Sequence, residues 1–228
     1  ILEGIEEIVR NYDVDGIQFD DYFYPPDNTV VPPTKPGEFE KEDYNNYQHQ
    51  GGKLNIGDWR RMQVSCMVSS AYFKVHNSRS SCVLGISPRG VQTQNYNIVY
   101  ADVETWMKQK GYVDYICPQI YFGFLNTEQP FENILNEWNA IKRHSLVKLY
   151  IGLALYKSGN LSDNWAGAGQ NEWATHDDIM KRSVQLIRSK KNCNGMKFYS
   201  YTYFKPSDSI NKIKNIAIKE VENLLDIL

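Results

Sequence analysis

The sequence has no apolar run long enough to cross a bilayer. The longest nearly uninterrupted one, Leu149 to Tyr156, holds eight residues, where a spanning helix needs about 20. It also has no excess of either charge. With 25 basic and 27 acidic residues the formal net charge is −2, which supplies no field for a polyanion and argues against nucleic acid or membrane insertion. Cysteine is scarce. Cys66, Cys82, Cys117 and Cys193 lie far apart with no C-x-x-C pair, so neither a disulfide framework nor a zinc site is indicated and buried free thiols are expected. No G-x-S-x-G elbow, phosphate-binding glycine loop or H-E-x-x-H pair occurs. The histidines, His49, His76, His144 and His176, fall in loops and helices away from strand ends and read as surface residues, so neither a metal nor a cofactor is expected. The chain opens Ile1-Leu2-Glu3, with no initiator Met or signal peptide, and is expected to be a processed or excised piece of a longer protein.

Aromatic residues, by contrast, are abundant. The 228 residues include 16 Tyr, 9 Phe and 5 Trp, more than a core of this size takes, and flat aromatic faces are what sugar rings stack on. Packing accounts for most of them, and the remainder are available as binding walls.

Short β-rich apolar runs alternate with amphipathic helical stretches. The pattern predicts strands at Gly16 to Asp21, Cys82 to Ser87, Val113 to Tyr121, Lys148 to Tyr156 and Met196 to Tyr203. A helix at Leu2 to Asn11 precedes the first strand. Others follow at Trp59 to His76, Asn97 to Lys110, Phe131 to Arg143, Thr175 to Lys190 and Ser207 to Leu228. Parallel strands need a crossover connection, so this order predicts a helix-covered parallel sheet within one α/β domain over 1–228. An insertion at 24–57 carries five of the nine prolines and reads as a long structureless loop. A second long loop runs from Lys157 to Ala174. Both follow the carboxyl ends of strands, where parallel α/β proteins hold their ligands.

Side chains alternate faces along a strand. Ile17 and Phe19, Leu84 and Ile86, Ile116 and Ile120, and Leu149, Ile151 and Leu153 are expected under helices. The other face then carries Gln18, Asp20, Ser87, Gln119, Tyr121 and Tyr156, a polar set that would be costly in a dry layer. Converging on a shared pocket it is reasonable, which favours a (β/α)8 TIM-type barrel over an open doubly wound sheet. Asp20, at the carboxyl end of the first strand, stands where barrel glycosidases place a catalytic carboxylate. A loop-capping role is its alternative. Cleavage normally needs a second carboxyl group, and the candidates are Asp21 and Glu172, the latter equally readable as a first-turn helix acid. Arg89 is suited to binding an anion, or to a salt bridge at the barrel rim.

Several ordered motifs then carry a resemblance. They are Asp15-Gly16-Ile17-Gln18-Phe19-Asp20-Asp21-Tyr22-Phe23-Tyr24-Pro25, Gly85-Ile86-Ser87-Pro88-Arg89-Gly90, Tyr100-Ala101-Asp102 with Trp106, Val113 through Tyr121, and Tyr150-Ile151-Gly152-Leu153 with Tyr156-Lys157. Together they closely resemble the glycosyl hydrolase-like 10 family of bacterial envelope proteins, relatives of which cleave peptidoglycan glycan strands. The family usually has His where this chain has Gln18, and an aromatic or other residue where it has Arg89. The resemblance implies a TIM-type barrel of which this chain supplies about five βα units, the missing amino-terminal strands being its partner. It also implies a glycosidase of the cell envelope or extracellular space, acting on cell-wall polysaccharide. Chitinase-type barrels are a second likeness, with D-G-x-D-x-D-x-E on a strand. Here the final acid is Tyr22, so that family's proton donor is absent.

The expected activity is therefore hydrolysis of O-glycosidic bonds, with Asp20 catalytic and Asp21, Glu172 or a residue outside this chain as its partner. Arg89, Gln119, Tyr121 and Tyr156 would position the sugar, Tyr24, Trp165 and Trp173 would wall the subsites, and Gln18, Tyr22, Ser87 and Lys157 complete the substrate-binding set. The alternatives are a non-catalytic carbohydrate-binding barrel and a scaffold domain of a surface protein.

Overall fold

The computed structural model describes residues 1–207 and 212–228. They form two compact units, Ile1–Ile116 with Lys142–Val147, and Cys117–Ile141 with Lys148–Leu228.

The first unit runs α1 (Leu2–Asn11), β1 (Gly16–Phe19), α2 (Lys41–His49), α3 (Ile56–Ser78), β2 (Val83–Ile86), α4 (Gln92–Asn97), α5 (Val103–Lys108) and β3 (Tyr115–Ile116). β2 pairs in parallel with β1, Gln18 beside Gly85, and with β3, Gly85 beside Tyr115. The alternation expected in β1 is observed. Ile17 and Phe19 pack against Ile5 and Val9 of α1, Ala71 and Val75 of α3, and Cys82 and Leu84, while Gln18 and Asp20 are exposed. Helix spacing of four places Ile5 with Val9 and Ala71 with Val75 on one face each, which buries both stripes against the strand.

Three local differences from the sequence reading have physical causes. α3 starts three residues early because Asn55 caps it, its side chain accepting from the Asp58 amide at 2.9 Å. The helix expected at Asn97 to Lys110 is broken at Tyr100, whose φ of 54° is left-handed. It restarts as α5, where the Asp102 carboxylate accepts from the Thr105 amide at 3.2 Å. The third strand is cut to Tyr115–Ile116 because Pro118 has no N–H for the ladder. Two side chains also differ. Cys66 is exposed on α3 rather than buried. His76 is half-buried rather than a surface residue, its Nε2 lying 3.0 Å from Asp114, which also accepts the Leu84 amide at 2.7 Å.

The 24–57 insertion is not structureless. It contains α2, whose Tyr44 and Tyr47 pack with Ile56 and Trp59, and it is tied down by a buried ion pair. Arg60 on α3 and Glu40 are both fully enclosed. Arg60 Nε donates to both Glu40 oxygens at 3.0 and 3.1 Å, Nη1 to the Pro32 carbonyl at 2.9 Å and to Tyr100 Oη at 2.8 Å, and Nη2 to the Lys35 carbonyl at 3.2 Å and to Glu40. Glu40 accepts further from the Gly37 amide at 2.8 Å and from Tyr24 Oη at 3.2 Å. The guanidinium also lies 4.8 and 5.7 Å from the ring centroids of Tyr100 and Tyr24.

The second unit runs α6 (Phe131–Ala140), β4 (Lys148–Leu153), α7 (Glu172–Thr175), α8 (Ile179–Ser189), β5 (Gly195–Phe198) and α9 (Lys214–Leu225). β4 and β5 are parallel with Gly152 beside Lys197, and Gln119 bridges to Gly152, also in parallel. Leu149, Ile151 and Leu153 are buried, as their spacing predicts. α8 begins at Ile179, four residues later than expected. Thr175 does not cap it: its hydroxyl donates to the Asn171 carbonyl at 2.9 Å. Instead Glu220 of α9 accepts from the amides of Ile179 and Met180, a cap supplied from a distant helix. The last helix starts at Lys214 rather than Ser207, and 208–211 of that expected helix lie outside the described residues.

The architecture is α/β, with each described strand pairing parallel and between chain-consecutive segments, and the chain supplies five βα units of a TIM-type barrel. Among the described residues no helix is long and apolar enough to cross a membrane.

Two stability measurements follow. Arg60→Met leaves the Glu40 carboxylate buried without its counter-charge, and the cost is expected to be about 3–5 kcal/mol in urea unfolding, with faster proteolysis within 24–57. Burial pushes the Glu220 carboxyl up to about 7, against the pull of the two amides. A folded-state pKa above the unfolded value means stability present at low pH and lost as pH rises from the ordinary glutamate range through 7. Unfolding at pH 4.5 and pH 8 should differ by about 3 kcal/mol from this group, and Glu220→Gln should remove that difference.

Candidate active site

β1 delivers two consecutive acids at its carboxyl end. The Asp21 amide donates to Asp20 Oδ1 at 2.9 Å. Asp20 is exposed and Asp21 is half-buried. Asp21 turns toward the segment after β2, where Arg89 Nε donates to Asp21 Oδ2 at 3.1 Å. Burial raises the pKa of Asp21, the Asp20 carboxyl beside it raises it further, and the Arg89 cation opposes them. A carboxyl that holds its proton to higher pH is suited to act as a general acid.

Arg89 is itself held in place. Its amide donates to Asn95 Oδ1 at 3.0 Å, and Asn95 Nδ2 returns a bond to the Arg89 carbonyl at 2.8 Å. Asn95 is buried on α4; its positioning role escapes the sequence reading, because nothing in the sequence marks a helical Asn as paired with a residue six positions earlier. Ser87 is buried, and its amide continues the β1–β2 ladder to the Phe19 carbonyl at 2.8 Å.

Gln18 shares its face with a residue that the sequence reading does not single out. Tyr115 Oη donates to Gln18 Oε1 at 3.1 Å, across Gly85. A Cβ at Gly85 would stand 1.9 Å from Tyr115 Cζ, so the missing side chain is what lets the ring lie over β2. The available signal was alternation, since Tyr115 falls on the same side as Cys117 and Gln119.

Among the remaining expected residues of this unit, Tyr22 is 87% exposed. Tyr24 is half-buried. Its ring meets Tyr100 at 5.3 Å, and its phenol, bound to Glu40, is pushed upward in pKa by burial and then by that carboxylate. Tyr24 anchors the insertion.

In the second unit, Glu172 departs from the role of a catalytic acid. It is 2% exposed, and its oxygens accept from the amides of Phe124 at 3.0 Å and Leu125 at 2.8 Å, with Arg182 at 3.7 Å. It locks the loop after Gln119 and has no face for a substrate. Trp173 is 1% exposed and so belongs to the core, whereas Trp165 is 85% exposed. Lys157 also has a structural assignment, donating to Asp163 at 2.6 Å and to the Tyr121 carbonyl at 2.8 Å. Tyr121 and Tyr156 meet edge to face at 5.7 Å. Burial, then Asp163 and neighbouring tyrosines, keep the Tyr156 phenol protonated above its ordinary range. Gln119 is half-buried. Among the described residues no group of three or more His, Cys, Asp or Glu could hold a metal ion.

Comparison with known proteins gives the family of the chain. The Glycosyl hydrolase-like 10 family matches residues 1–167. Glycosyl hydrolase YngK of Bacillus subtilis (strain 168) is 33% identical over 204 residues, covering 82% of this chain and 38% of that protein. Glycosyl hydrolase DigH of Escherichia coli (strain K12) is 31% identical over 177 residues, covering 71% of this chain and 38% of that protein. The chain thus spans less than half the length of these curated relatives. With a family match over most of its length and relatives above 30% identity, the chain belongs to the glycosyl hydrolase-like 10 family.

Proposed function

We propose that this chain contributes the carboxylate centre of a glycoside hydrolase that cleaves O-glycosidic bonds in cell-wall polysaccharide, peptidoglycan glycan strands being the favoured substrate. The observation that carries the reading is the Asp20–Asp21–Arg89 group at the carboxyl end of β1. Asp21, half-buried and beside a second carboxyl, holds its proton to higher pH and serves as general acid to the glycosidic oxygen. Asp20, exposed beside it, acts as the ionised partner, either attacking the anomeric carbon or activating water. Arg89 limits the upward shift of Asp21 and stabilises the carboxylate left once the proton has gone. Gln18 and Tyr115 line the same face and supply hydrogen bonds to sugar hydroxyls. The rest of the barrel would come from sequence outside residues 1–228, and the protein would work at the cell envelope or outside the cell.

Asp20→Asn should leave the thermal melting temperature near that of the parent and lower release of reducing ends from purified glycan strands by about 10²–10⁴-fold. Unchanged turnover would remove Asp20 from the mechanism. Saturable glycan binding by the parent without any product would instead mark a non-catalytic carbohydrate-binding barrel, and the absence of both would mark a scaffold. Arg89→Gln removes the only influence named here that opposes burial and Asp20 by charge. The carboxyl titration of Asp21, followed by carbon NMR, should therefore move to higher pH, and with it the alkaline limb of the pH–rate profile. A downward move would exclude Arg89 as the stabilising cation.

A further inference from the structure

The chain leaving β5 presents an aromatic ring that the proposed chemistry does not use. Tyr199 follows Phe198 directly and is 59% exposed, yet it is held on several sides. Its ring stacks on Tyr121 at 6.3 Å with 27° between planes and stands edge-on to Tyr156 at 5.9 Å and 87°. Tyr156 is backed in turn by Tyr203 at 6.2 Å. The Tyr199 amide donates to the Leu153 carbonyl at 2.9 Å, and its carbonyl accepts from the Tyr156 amide at 3.0 Å. The ring is thus both in water and fixed. Its rotamer freedom is given up before any ligand arrives, which favours binding.

The row of the sheet beside these tyrosines runs from Gln119 through Gly152 to Lys197, Gln119 bridging to Gly152 and Gly152 pairing with Lys197. Gly152 is buried, and a Cβ there would stand 3.0 Å from the Pro118 carbonyl oxygen and 3.5 Å from the Tyr121 ring, so its lack of a side chain is what lets Tyr121 lie against the strand. Gln119 is half-buried and Lys197 exposed, which gives the row one amide and one ammonium side chain. An apolar face standing beside hydrogen-bonding groups suits a ligand that is itself apolar on one face and hydroxylated at its edges. A pyranose with equatorial hydroxyls has that form, with axial C–H bonds for the ring and hydroxyls around the rim.

We infer that Tyr199, braced by Tyr121 and Tyr156, is the stacking platform of a sugar subsite that takes a pyranose with equatorial hydroxyls within an oligosaccharide. The inference rests on the carbohydrate reading above and extends it to a segment beyond the residues that the family matches.

Calorimetric titration with chitohexaose, a soluble β-1,4-linked probe, tests it. The titrations use the full chain carrying Asp20→Asn, so that binding is read without turnover. Tyr199→Ala in that background should weaken binding by about fivefold or more, and Tyr199→Phe should keep it within about twofold, since the face and not the hydroxyl does the stacking. Near-UV circular dichroism checks the tyrosine wall. If Tyr199→Ala disturbs it, Tyr199→Leu, which keeps apolar bulk without a flat face, decides, and weakened binding is again expected. Equal binding by the folded Ala or Leu variant overturns the platform, as does absence of chitohexaose binding by the parent. Failure of the catalytic reading is separate: it would appear as retained hydrolysis in Asp20→Asn, whatever Tyr199 does.

Discussion

A buried guanidinium is the constraint on which the first unit depends. Arg60 is enclosed without access to water, so each of its donors must find a protein acceptor, and the acceptors it finds are spread over Pro32, Lys35, Glu40 and Tyr100. Satisfying one side chain therefore fixes an insertion, a helix start and the left-handed turn before α5. The consequence reaches the candidate active site along the chain. Tyr24 donates to Glu40, and Phe23 meets Trp106 at 5.5 Å, so the segment leaving Asp20 and Asp21 is anchored within a few residues of the carboxyl pair. The proposed role of Asp21 as an acid needs a fixed position more than a loop usually gives it, and the buried Arg60–Glu40 pair helps to supply one through the chain.

The second unit uses carboxylates in a comparable way. Glu172 and Glu220 are buried, and each spends its oxygens on two successive backbone amides, those of a loop in one case and of the α8 start in the other. Neither is available for chemistry. Acidic residues in a glycosidase-like fold invite a catalytic reading, but occupation of both oxygens by backbone donors marks a structural part. Asp20 and Asp21 differ because one is in water and the other faces a cation and a second acid.

Much of the barrel architecture was legible because it is periodic. Alternation in Ile17-Gln18-Phe19 and in Leu149-Tyr150-Ile151-Gly152-Leu153 sorts the two faces, and the partial burial of Ile17 and Phe19 and the full burial of Leu149, Ile151 and Leu153 follow it. The Asp20–Asp21 pair was legible too, since a strand end is a local feature. Arg60 with Glu40, twenty residues apart, was not legible, because a charged side chain reads as surface until its acceptors are known. Tyr115 was hidden for a related reason: its reach to Gln18 depends on the space left by Gly85 on the strand between them. Trp165 and Trp173 look alike in one loop, yet one is in water and the other in the core.

The sequence alone determined the order of the five strands, the faces of β1 and β4 and the motif set that leads to the glycosyl hydrolase-like 10 family, but not α2 or the break before α5. These are read from neighbours a few residues apart, and local sterics and period carry them. Tertiary structure decided which acids are committed to backbone amides and which aromatic rings remain exposed, for those depend on donors and space contributed by distant residues. Thus Glu172 became a loop anchor, Tyr24 a brace, and Tyr199 an exposed ring on a tyrosine wall.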